Sequence, residues 1–138
     1  MNKTLIGAAL ALALTSCATQ PVQIADSRLP PSERQLEGYS ALSAPKEGTV
    51  KVTIIRDSGA QASLTSATLL VDGTEVVNLR TSERVELYLN PGSHVFGIKQ
   101  IGAPLLESAY TIGETQPRYF RVGLLAGGLN IQPTAAIR

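Results

Sequence analysis

From residue 50 onward, apolar and polar side chains alternate. Val50-Lys51-Val52-Thr53-Ile54 places an apolar group at every second position, as a strand with one buried face requires. Residues 67–71 form a second such run ending in Asp72-Gly73, and residues 74–79 form a third. Asp-Gly between two strand-like runs predicts a hairpin, because a type I′ turn needs positive φ at both central positions. Residues 84–89 alternate cleanly, with Val85, Leu87 and Leu89 on the core face, before Asn90-Pro91-Gly92 turns the chain. Further runs at 94–99, 105–112, 118–125 and 129–132 are separated by Gly102-Ala103-Pro104, by residues 113–117 and by Gly127-Gly128. The pattern predicts about eight short strands and no long helix, hence an all-β domain over 46–138, an antiparallel β-sandwich.

Upstream the alternation is missing. Residues 18–45 carry Gln20-Pro21, Pro30-Pro31, Pro45 and several Ser and Ala, and few large apolar side chains. Together with Cys17 this composition reads as a flexible tether, 17–45. As a free coil, such a segment spans roughly 30 Å root-mean-square and at most roughly 90 Å. Within it, Pro31-Ser32-Glu33-Arg34-Gln35-Leu36-Glu37-Gly38 has Pro at a first helical position and Gly at a C′ position, predicting one or two helical turns. Leu36 and Tyr39, three apart, would dock that turn onto the domain.

The first residues decide where the chain resides. Lys3 precedes an uninterrupted apolar or small stretch at 5–14. At 1.5 Å per residue this makes a helix of roughly 15 Å, too short for a hydrocarbon core of roughly 30 Å. It reads as an export signal, 1–16. The stretch closes in Leu14-Thr15-Ser16-Cys17, which resembles the lipobox of bacterial lipoproteins, in which the Cys is diacylated and the chain is then cut before it. The resemblance implies cleavage between Ser16 and Cys17, a thioether-linked diacylglycerol on the Cys17 sulfur and an N-acyl chain on its amine. Two or three acyl chains give stable anchoring where one does not. Ala18 stands where many inner-membrane lipoproteins carry Asp, so the family rule implies the outer membrane, with the domain in the periplasm. Cys17 is the chain's one cysteine, so no internal disulfide can form, and acylation removes a thiol that would be a liability in an oxidising compartment.

Charge narrows the partners. The chain has 138 residues, 12 Lys and Arg, 11 Asp and Glu, and a formal net charge of +1. Cleavage before Cys17 removes Lys3 and leaves a neutral chain, without the clustered basic surface that nucleic acid requires. Acidic residues are scattered, and the chain contains one histidine and one cysteine, so neither a zinc nor a calcium site is expected and no cofactor is implied.

Arg56-Asp57-Ser58-Gly59, Val71-Asp72-Gly73 and Leu89-Asn90-Pro91-Gly92-Ser93-His94 recur in an order that resembles PEGA-type β-sandwich modules and a related uncharacterised lipoprotein domain. Asn90-Pro91-Gly92-Ser93 in place of Pro-Glu-Gly-Ala favours the lipoprotein relatives. The resemblance covers about residues 49–133 and rests on turn chemistry. It implies a non-enzymatic envelope module.

His94 is the first residue to weigh for acid–base chemistry. Ser93 beside it points to the opposite face of a strand, so the two do not make a nucleophile and base. His94 shares a face with Phe96 and Ile98 and reads as a rim residue bonded to turn backbone. Asp57 and Asp72 are the carboxylates whose pairing would revive a hydrolase of envelope polymers. No catalytic residue is assigned. Tyr88, Tyr119 and Arg121 face away from the core and form a candidate interaction patch, since Tyr and Arg are enriched at binding hot spots. These features lead to a lipid-anchored structural or protein-interaction module with an envelope protein as partner, with a carrier of lipid, small ligand or glycan as the alternative.

Overall fold

The computed structural model describes residues 19–59, 65–114, 118–125 and 128–135. The signal segment, Ser16 and Cys17 lie outside the described residues. Eight strands form: β1 Val50–Arg56, β2 Ala67–Val71, β3 Thr74–Leu79, β4 Arg84–Leu89, β5 Gly92–Lys99, β6 Leu106–Ile112, β7 Tyr119–Leu125 and β8 Gly128–Thr134. They build two four-stranded sheets, ordered β4-β1-β7-β8 and β3-β2-β5-β6, the β-sandwich expected from the alternation. Most pairings are antiparallel. The exception is β1 with β7, which run parallel with Ile54 opposite Phe120.

Each sheet turns one apolar face inward, because alternate strand residues point to opposite sides. Val52, Ile54, Val85, Leu87, Phe120, Val122 and Ile131 meet Leu69, Val77, Leu79, Phe96, Ile98 and Ile112 between the sheets. The centre is aromatic: Phe120 lies 4.9 Å from Phe96 and 5.3 Å from Tyr110, ring centre to ring centre. The Tyr110 hydroxyl donates to the Ile131 carbonyl at 3.0 Å, joining the β6 edge of one sheet to the β8 edge of the other.

The strand directions define two poles. One holds the ends of β1, β3, β5 and β7; the other holds the hairpin turn at Asp72-Gly73, the turn at Asn90-Pro91 and the start of β1. Asp72 (φ 50°) and Gly73 (φ 80°) both take the positive φ that a type I′ turn needs.

The expected tether is instead a docked strap over residues 19–42. The Gln20 amide donates to the Ser58 carbonyl at 2.7 Å and the Thr19 hydroxyl accepts from the Leu124 amide at 3.0 Å. Val22 then packs on Ile55 and Tyr119, on the outer face of the first sheet. That cover explains why β1 is buried on both faces from Val52 to Arg56, where alternation alone predicts one. Further on, the Leu36 amide donates to Val76 and the Gly38 amide to Glu75, at 2.8 and 2.9 Å. These bonds occupy the exposed edge of β3 at a bulge, so the edge cannot recruit another chain.

Of the one or two helical turns expected over residues 31–38, one forms. Ser32–Arg34 make one 3-10 turn, and the α-helix, α1 at Tyr39–Leu42, begins after Gly38. Gly38 therefore precedes a helix instead of ending one. Its value is close approach: a Cβ there would lie 2.9 Å from the Thr74 methyl and 3.0 Å from the Glu75 carbonyl oxygen. Tyr39 and Leu42 pack on the main core from below.

Candidate functional site

At the pole of the Asp72-Gly73 and Asn90-Pro91 turns lies an open groove of about 330 Å³. Its walls are Ala41 and Leu42 of α1, Val71, Leu89 and Tyr88; its rim is Lys46, Thr49, Asp72, Asn90 and His94. The strap contributes one wall, so the groove exists only because α1 is docked.

His94 makes two contacts that, with a third made by Asp72, tie the two turns together. Its Nδ1 lies 2.7 Å from Asp72 Oδ2, and its Nε2 lies 2.8 Å from the Asn90 carbonyl oxygen. The other Asp72 oxygen accepts the Val95 amide at 2.8 Å. Since a carboxylate and a carbonyl both accept, the arrangement favours the imidazolium, which donates from both nitrogens. Burial alone would lower its pKa; the Asn90 carbonyl and Asp72 carboxylate outweigh burial and hold it above the ordinary histidine value. With both nitrogens engaged, His94 offers no lone pair to a proton or a metal. Lys46 adds a second cation at the rim, its Nζ donating to the Ala41 carbonyl at 2.8 Å. The groove thus combines an apolar floor with a polar rim of the paired Asp72 and His94, Asn90, Thr49 and Lys46, which suits capture of a small apolar group carrying a polar end.

Compared with known proteins, the chain matches no protein-family model, no curated protein and no solved structure. Its chemistry is therefore read from its own residues.

The expected interaction patch is divided. Tyr88 and Tyr119 lie on the outer face of one sheet with β1 between them, Tyr88 opposite Lys51 and Tyr119 opposite Thr53. Tyr88 lines the groove, whereas Tyr119 packs beneath Val22 of the strap. Arg121 is engaged internally: its Nη1 donates to Asp57 Oδ1 at 2.8 Å and to the Val22 carbonyl at 2.9 Å. Asp57 and Asp72 sit at opposite poles, so they do not form the carboxylate pair that glycoside hydrolysis needs. Burial pushes the Asp57 carboxyl up, and Arg121 and the Val22 amide offset only part of that.

Sequence inspection missed a buried charge cluster that clasps the strap. Glu83, fully buried, accepts a two-pronged contact from Arg34, the Arg80 amide at 2.8 Å and Arg28 Nε at 3.4 Å. Burial would raise the Glu83 pKa, but Arg34 and the Arg80 amide together hold it below the ordinary value. Beside it Arg56, also fully buried, donates to the Leu79 carbonyl. Burial pushes the Arg56 guanidinium down to about 10, with Glu83 opposing. This is structural charge, far from the groove.

Proposed function

We propose that the chain is a lipid-anchored structural or protein-interaction module of the outer membrane, held by acyl chains on Cys17, which presents the groove to an envelope partner in the periplasm. The observation that carries this reading is the position of the chain's entry. From Thr19 onward the strap is bound to the ends of β1 and β7, at the pole opposite the groove. An anchor on Cys17 therefore tethers one pole, and the groove with Tyr88 faces away from the leaflet. Anchoring raises the local concentration of such a surface, so that weak contacts become useful. The size of the groove and its polar rim also suit a glycan or small polar ligand, which is the second reading. A lipid carrier of the interior type needs space between the sheets, where Phe96, Phe120 and Tyr110 are stacked.

The test is crosslinking in intact cells from a photoreactive residue replacing Tyr88. The expected result is one discrete protein adduct that disappears in a folded Leu42→Arg variant, whose guanidinium fills the groove. Adducts with glycan alone would favour the second reading. No adduct from a folded, anchored protein would overturn both.

A further inference from the structure

The pole at which the strap enters carries a second surface. Among the described residues, the exposed large apolar side chains are Leu29, Ile101 and Leu105. All three sit at this pole. Ile101, 93% exposed, and Leu105 lie on the β5–β6 connection, which is turned by Gly102 at φ 78°. That connection lines a cleft with Gly128 and Leu129, and Leu129 pairs with Leu124, whose amide binds Thr19. Leu29 follows Arg28, whose amide donates to the Ser82 carbonyl in the β3–β4 connection.

Charge is distributed to match. Residues 58–71, 100–106 and 122–137 contain no Asp, Glu, Lys or Arg, and residues 100–105 form the β5–β6 connection of this pole. The exposed charged groups at its margin are of both signs: Arg28 and Arg80, with Lys99 and Glu107 at the two ends of the β5–β6 connection. The opposite pole carries Lys46, Glu47, Asp72 and Glu114. The β5–β6 connection between Lys99 and Glu107 is itself free of charge and apolar, with charges of both signs around it.

We infer that the β5–β6 connection enters the leaflet that holds the Cys17 acyl chains, with Ile101 and Leu105 among the lipid tails and Arg28 and Arg80 at the phosphates. The inference rests on the anchor reading. Only Ala18 separates Cys17 from docked Thr19, a reach of about 7 Å, so the sandwich cannot stand off from the bilayer. An apolar loop brought to that distance is covered by lipid, as apolar side chains at interfaces are, while basic groups favour anionic headgroups. A second copy of the chain is the competing occupant of the same surface.

The chain contains no Trp, so one introduced indole reports alone. Ile101→Trp and, at the far pole, Glu114→Trp are made in the full-length chain, and each is purified with the mass of its N-terminal peptide measured. Both are placed in vesicles of phosphatidylethanolamine and phosphatidylglycerol with brominated acyl chains. The expected result is a blue-shifted emission and several-fold stronger quenching for Ile101→Trp than for Glu114→Trp. Equal, water-like emission from both variants in acylated protein overturns the inference and leaves the anchor standing. A blue shift without quenching by the brominated chains, growing with protein density in the vesicles, makes a second copy the occupant and also overturns it. Absence of the acyl mass on Cys17 removes the anchor, and the inference with it.

Discussion

His94 is held by a network whose charge state sets how the fold answers to pH. In the unfolded chain an imidazole titrates near pH 6.5. In the fold its pKa is raised, because the Asn90 carbonyl and Asp72 carboxylate overcome the effect of burial. Between those two values the folded chain keeps a proton that the unfolded chain has released. The contribution of His94 is therefore complete below the unfolded value and lost as pH rises through the folded one. A His94→Gln variant is expected to lose stability in mildly acid buffer and to show a flatter decline toward alkaline pH. Urea unfolding of both chains across that range checks it, and an unchanged slope would place the effect elsewhere. The rim position of His94 and its bond to turn backbone were legible in the sequence, since Asn90-Pro91-Gly92 announces a turn. Its partner Asp72 was not, because the contact spans 22 residues and only the pairing of β2 with β5 brings it about.

Among the elements, the strap separates what local pattern can and cannot say. The strands were legible to within a residue or two because alternation and turn residues are local, and β2, β3 and β4 fall on the expected bounds. The parallel pairing of β1 with β7 was not, since nothing in either strand names its neighbour. Pro, Ser and Ala in residues 18–45 correctly ruled out an alternating strand, but lack of periodicity is not lack of docking. The strap is held by backbone bonds to β3 and by Arg34 and Arg28 on Glu83, contacts across 49 and 55 residues. Removing the carboxylate charge leaves the largely buried Arg34 guanidinium uncompensated, and breaking such a pair costs about 3 kcal/mol or more. Glu83→Gln should lower stability by that amount in urea titration and speed amide exchange over residues 20–42. A loss of about 1 kcal/mol or less would instead describe a solvated, surface-like pair.

At the scale of the whole molecule the arrangement is polar in the geometric sense. The strap fastens the N-terminal side to one end of the sandwich, the groove opens at the other, and a filled aromatic core between them makes the domain a spacer about one strand long. Sequence alone supplied the sandwich and the lipobox resemblance on which the anchor proposal rests, but not the poles, which emerge only when strand direction and strap are combined. The central claim is that Cys17 carries the anchor that orients these poles. The most direct measurement is fatty-acid labelling and membrane fractionation of the full chain beside its Cys17→Ser variant. The account predicts a labelled, membrane-bound chain whose mature N-terminus is Cys17, and an unlabelled variant that is released from the membrane fraction. Identical fractionation, with no label on either chain, would contradict it.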